Sequence, residues 1–354
     1  MSANPHEAFA QPVPPDPYGY GQGGYGYAPQ PPPSPTHLPY HRLLRGGAWG
    51  ANGWWRVVVG VIVLVVLVFL AQALPVTVLA VYYAARGMSY EDTLARLSGE
   101  IVTPSFLLVV NLGWAFSILV VWLVARTLHG LRPGWVSSVV PRMRWRYFVA
   151  CLGLSLVALL VTVVLGAFLP AQAGDDVTGQ LNSFTTTTRD FLLVVVLLTP
   201  LQAAGEEYVF RGYLTQAFGS LIPSPRVSAA VAVLAPSLLF ALAHGAQDAP
   251  IFFDRFAFGV VAGTLVILTG GLEAAVAMHV LNNWLAFGLA LAFGDMTSAL
   301  NPEGSSWWNI PITVVRAVVY LALAVWVARR MGLATTTEDR LHPGSRLVPS
   351  RARM

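Results

Sequence analysis

Glu206 and Glu207 stand side by side within an apolar stretch, and Arg211 follows four residues after the second. A carboxylate at the centre of a bilayer costs roughly 2.5–3.5 kcal/mol on insertion scales, so two adjacent ones need a reason. The same half of the chain places His244, His279 and Asn283 inside further apolar runs. A glutamate, two histidines and an asparagine around water suit hydrolysis of an amide. On that reading Glu206 takes a proton from water and His244 orients the water and shuttles the proton. His279 and Asn283 then donate hydrogen bonds to the developing oxyanion. The same groups could instead hold a divalent metal such as zinc, with Glu206, His244 and His279 as ligands and water as the fourth. The paired-histidine H-E-x-x-H signature is absent. The residues alone leave both mechanisms open.

Spacing suggests how the labour is divided. Glu207 and Arg211 lie four apart, which stacks them on one helical face with the acid N-terminal to the base. That pair is expected to fix the helix. Glu206 points about 100° away on a helix of 3.6 residues per turn and is expected to face a cavity. Phe240 and His244 share a face by the same spacing, as do His279 and Asn283. Pro200 and Pro236 each precede a motif and are expected to kink their helices, the first admitting water and the second aiming His244.

The elements that must position these groups are membrane spans. The chain of 354 residues is 55% hydrophobic and only 11% charged, where a soluble domain carries about a quarter charged residues. A span needs about 20 apolar residues. Eight runs qualify: Val57–Ala85, Pro104–Ala125, Tyr147–Pro170, Phe191–Phe218, Val227–Gly245, Phe256–Gly270, Leu272–Gly294 and Trp308–Ala328. The sixth is short and Arg316 interrupts the eighth, so seven is the other count. The fold class expected is an all-α, polytopic transmembrane helix bundle. Trp54, Trp55 and Arg56 announce the first span as interfacial anchors.

Arginines set the orientation. Arg132, Arg142, Arg144 and Arg146 crowd one loop, with Arg126 beside it, and more follow from Arg329 onward. Both regions belong in the cytoplasm, so both termini are expected there. By helix rise, Glu206 lies roughly 20 Å from the cytoplasmic side, His244 roughly 27 Å, His279 roughly 11 Å and Asn283 roughly 17 Å. With tilt and kinks these depths overlap.

Residues 1–53 read as a disordered Pro/Gly/Tyr-rich cytoplasmic tail, since 11 of the 25 prolines fall in the first fifty residues. No apolar h-region of a signal peptide stands there. Residues 54–190 hold spans one to three, 191–294 the chemical core, 295–331 the last span and 332–354 a basic tail. Cys151 is the single cysteine and reads as packing. The net charge of +4 sits mainly in termini and one loop and gives no case for nucleic acid. Asn111 reads as interhelical glue, Arg316 as a side chain snorkelling to the outer interface, and Glu273 as facing cytoplasmic water.

Three motifs now stand in order on separate spans: Glu-Glu-x-x-x-Arg at Glu206–Arg211, Phe-x-x-x-His at Phe240–His244, and His-x-x-x-Asn at His279–Asn283. In this the chain resembles the CAAX prenyl protease and bacteriocin-processing (CPBP, or Abi) family of intramembrane endopeptidases, over roughly Phe191 to Gly294. The resemblance implies that Glu206 is the water-activating glutamate and that His244, His279 and Asn283 complete the site. It also implies a chamber open toward the cytoplasm and a membrane-embedded or membrane-tethered peptide as substrate. The family is often labelled metalloprotease, and a metal-free glutamate mechanism is also argued for it. The expected setting is the plasma membrane. Two other readings remain: a non-catalytic scaffold or bacteriocin-immunity protein, and an ion-coupled transporter with the glutamates relaying protons. Transporters commonly show paired repeats, whereas the polar groups here crowd into the second half.

Overall fold

The computed structural model describes residues 37–46, 53–166, 180–245, 248–302, 307 and 309–337. Eight long helices cross the molecule: α1 (Trp54–Ala85), α2 (Pro104–His129), α3 (Trp145–Gly166), α4 (the run Thr186–Leu221), α5 (Pro225–Leu242), α6 (Ala249–Thr269), α7 (Glu273–Phe293) and α8 (Asn309–Arg330). All but α3 are long and apolar enough to span a membrane over their described residues, and α3 is a shorter apolar helix over Trp145–Val161. The chain is thus an all-α, multi-pass membrane protein.

Local chemistry sets the helix ends. Thr103 accepts the Phe106 N–H ahead of Pro104 to start α2, and Gly130, at φ +68°, ends it. Asp248 accepts the Ile251 N–H to start α6, which ends at Gly270 with φ +71°. That cap adds seven residues to the sixth span as first read. Asp254 and Arg255, which precede that span as first read, lie inside the helix.

α4 lies between α2 and α7, and α5 packs on α6. Its axis breaks at Leu198, just before Pro200, as the proline requires. The polar residue Asn111 of α2 donates to Thr199 Oγ1 at 3.1 Å beside the break. Gly205 lets α2 approach: a Cβ there would strike the Trp114 carbonyl. After Glu207 the helix widens into a π turn over Tyr208–Leu214 before resuming at Thr215. Such turns recur at functional sites.

Three expectations need correction. Within the stretch read as a disordered N-terminal tail, Leu38–Pro39 forms strand β1 and Tyr40–Gly46 a 3₁₀ helix against the bundle. Tyr40, Leu43 and Leu44 are buried, and Tyr40 Oη donates to the Val136 carbonyl. Arg42 and Arg45 donate to the Pro223 and Ser220 carbonyls at 2.8 and 2.7 Å, covering the C-terminal end of α4. The remainder of that tail, 1–36 and 47–52, and the last residues from 338 lie outside the described residues. β1 pairs antiparallel with β2 (Thr336–Thr337), so the approach to α1 and the exit from α8 share one face. A shared face calls for an even number of crossings, which α3, the shorter apolar helix, would complete as the eighth.

Secondly, Glu273 does not face water. It is fully buried and takes Arg144 in two parallel bonds, Nε to Oε1 at 2.8 Å and Nη2 to Oε2 at 2.6 Å. Thirdly, Arg316 is half-buried and lines a small, partly open pocket with Ser155, Phe258, Met278, Asn282 and Tyr320.

Candidate active site

α4, α5 and α7 bring their motifs together around the middle of α4. Arg211 Nη1 donates to Glu207 Oε1 at 3.0 Å, both side chains at most 1% exposed. The same oxygen meets His279 Nδ1 at 2.8 Å. An ionised carboxylate only accepts, so this Nδ1 carries hydrogen and the ring orientation is set. The Arg211 guanidinium also lies over the Phe240 ring, 4.1 Å from its centroid. Phe240 then packs edge-on to His279 at 5.9 Å and to Phe210 at 5.3 Å. Glu207, Arg211 and Phe240 form a closed support.

Glu206 sits differently. Its Oε1 accepts a short hydrogen bond from Gln202 Nε2, one turn earlier on α4. Its Oε2 is buried and accepts no hydrogen bond from the protein, while His279 Nε2 lies 3.6 Å away. Gln202 Oε1 in turn accepts from Asn283 Nδ2 at 3.1 Å. One chain of contacts therefore runs Asn283–Gln202–Glu206–His279–Glu207–Arg211. It joins α4 to α7 at two successive turns.

His244 is the member left apart. It lies two residues beyond the end of α5, exposed, with Nδ1 on the Phe240 carbonyl at 2.7 Å and its ring against Phe240 at 4.7 Å. No hydrogen bond joins it to Glu206, His279 or Asn283. Phe240 is the element between it and the buried cluster.

Two residues escaped the reading of the motifs. Gln202 carries no charge and so raised no alarm, although its i, i+4 relation to Glu206 is the rule that paired Glu207 with Arg211. Arg255, half-buried on α6, stands within electrostatic range of both Glu206 and His244. Its position one residue ahead of an apolar run disguised it as loop.

A metal would need Glu206, His244 and His279 to converge. Among the described residues no three His, Cys, Asp or Glu side chains are grouped so as to hold a metal ion. His279 Nδ1 is committed to Glu207, and His244 turns one nitrogen to its own helix. This arrangement does not fit a three-ligand site, and no step below passes through a metal.

Residues 188–285 match the family described as Rce1-like, type II CAAX prenyl endopeptidase Rce1-like. The match takes in all three motifs and Gln202. It covers less than a third of the chain. The Bacillus subtilis (strain 168) protein "Uncharacterized protein YyaK" is 26% identical over 229 residues, which is 61% of this chain and 74% of that relative. No solved structure matches the chain.

Proposed function

We propose that the protein is an intramembrane endopeptidase of the plasma membrane, hydrolysing peptide bonds in membrane-embedded or membrane-tethered substrates with water activated by Glu206. The observation that carries this reading is the asymmetry of the two adjacent glutamates. Both keep a buried Oε2 without a hydrogen bond, but Glu207 is paired through Oε1 with the Arg211 cation and with His279 Nδ1. Glu206 is held by Oε1 alone and keeps Oε2 unengaged beside an imidazole. A held carboxylate with one unengaged oxygen is what a general base requires.

In the proposed reaction, Glu206 Oε2 takes a proton from water as the water oxygen bonds to the scissile carbonyl carbon. The carbonyl oxygen gains the negative charge. Asn283 Nδ2 donates to it, and so does His279 Nε2 after taking a proton from solvent, which it holds unchanged through the cycle. An imidazolium there is flanked by the Glu206 and Glu207 carboxylates, which offset its charge. When the C–N bond breaks, the departing amine takes its proton from Glu206. His244, with Nδ1 on its own backbone, offers Nε2 at the mouth to orient the incoming water.

The test compares membrane proteomes of cells carrying the wild-type and Glu206→Gln proteins at equal abundance. Peptide termini present only with wild type are expected. Identical sets of termini would remove the proposal.

A further inference from the structure

We propose that the Glu206 site opens on the face of the bundle opposite the termini, and that it takes peptide segments presented at the outer, non-cytoplasmic membrane surface. This rests on the endopeptidase reading and adds the side from which substrate arrives.

Two faces are defined by connectivity. The β1–β2 pair, the loop 130–144, the turn 222–224 and the turn 270–272 lie at one end of the helices. The segments 86–103, 180–185, 243–245 with Asp248, and 294–302 lie at the other.

Burial along the site runs one way between them. From Glu206 toward the termini face, Glu207, Arg211, Thr215 and Gln216 are each no more than 1% exposed. That end is also sealed by directed bonds. Ser137 Oγ meets Tyr208 Oη at 2.7 Å, His129 Nε2 meets Tyr213 Oη at 2.8 Å, and Gln216 Nε2 donates to the Trp135 carbonyl at 2.9 Å. The segment 131–140 is itself pinned to the turn before α7, with Val139 N–H on the Gly270 carbonyl and Leu272 N–H on the Ser137 carbonyl, both 2.9 Å. Tyr40 closes the stack from outside. Toward the other face the order reverses: Gln202 and Asn283 are half-buried, and His244, past the end of its helix, is exposed. The less buried groups of the site, Gln202, Asn283 and His244, therefore all lie on that side of Glu206.

Charge says which side this is. The termini-face loop and the start of α3 carry Arg132, Arg142, Arg144 and Arg146, of which Arg144 is paired with Glu273, while the opposite segments carry Arg86 and Arg96 beside Glu91, Asp92, Glu100, Asp248 and Asp295. Arginine-rich loops remain in the cytoplasm. The mouth is therefore external, the reverse of the cytoplasmic chamber that the family resemblance implies.

Single cysteines placed in the full-length Cys151→Ala protein test this in intact cells with a membrane-impermeant maleimide. Arg142→Cys marks the termini face and Glu100→Cys the opposite face; both positions are exposed. Gln202→Cys reports on the site, and Ala243→Cys, exposed beside His244, reports on the mouth if the former fails to accumulate. Labelling of 100 with 202 or 243 in intact cells, and of 142 only after permeabilisation, is the expected result. Labelling of 202 and 243 only together with 142 would overturn the opening, as would their silence under both conditions. Labelling of 142 but not 100 in intact cells would overturn the external assignment. Labelling needs no catalysis, so these outcomes stand apart from the Glu206→Gln comparison that tests proteolysis itself.

Discussion

The first membrane helix and the fourth are close in length, 32 and 36 residues, and follow opposite rules. In α1, 17% of the most apolar window is buried by protein; in α4 the share is 56%. The outer surface of α1 is Ile62, Phe69, Leu74 and Val78, which lipid covers as well as protein would. α4 carries Glu206, Glu207, Arg211, Thr215 and Gln216, all buried. The difference teaches that this chain keeps its polar groups where other helices replace lipid. Each such group then needs a partner; Glu207 Oε2 and Glu206 Oε2 both lack one, and the carboxylate with no arginine to hold it is the one that ends at Glu206 Oε2. The sharpest way to break this contrast is at that atom. Glu206→Gln keeps the shape and the Gln202 contact and removes the base, so cleavage should fall by roughly 10²- to 10⁴-fold with membrane insertion unchanged. Retained wild-type rates in a reconstituted cleavage assay would return Glu206 to a structural role.

The next largest effect falls on stability. Arg211→Ala leaves Glu207 buried beside His279 without its cation, which costs roughly 3–5 kcal/mol for a buried pair broken on one side. Thermal unfolding in detergent should show a large drop, partly restored in the Glu207→Ala/Arg211→Ala double variant, because the uncompensated charge is then gone. A double variant no better than the single would mean that Arg211 matters through the Phe240 ring alone.

Gln202 sharpens the contrast at smaller amplitude. A hydrogen bond to a charged group contributes roughly 1.5–3 kcal/mol. Gln202→Ala should therefore lower kcat by roughly 10-fold or more with KM little changed. Gln202→Asn, too short to hold both Glu206 and Asn283, should not rescue it. An unaltered kcat with a lowered unfolding temperature would make Gln202 a packing residue only.

These effects also mark what could be read from residues alone. Spans were legible because the hydrocarbon thickness fixes their length, and the glutamate, histidine and asparagine motifs because polar groups stand out in apolar runs. Gln202 was not: an amide announces itself less than a charge. The 3₁₀ helix at Tyr40–Gly46 was hidden by its proline-rich neighbourhood, although Tyr40 and Leu43, three apart, fall on one face of it and are fully buried. Glu273 looked solvated because a residue at a helix start normally is. Its partner, Arg144, comes from 129 positions away, and local pattern carries no trace of such a pairing. His244 is the reverse case, a residue whose spacing with Phe240 was legible while its distance from the buried cluster was not.

The same substitution in the two regions gives the smallest and most direct comparison. Phe69 on α1 is 71% exposed to the surroundings, so Phe69→Leu exchanges one apolar surface for another and should shift stability by no more than about 0.5 kcal/mol. Phe240 is buried, with the Arg211 guanidinium on its face and His244 and His279 at its edges. Phe240→Leu removes that face, worth about 2 kcal/mol for a desolvated cation. It also frees His244 to swing, so both unfolding temperature and cleavage rate should fall. If the two leucine variants unfolded alike, the aromatic ring would be ordinary filling, and the partition between a lipid-facing helix and a polar-bearing one would rest on the ion pairs alone.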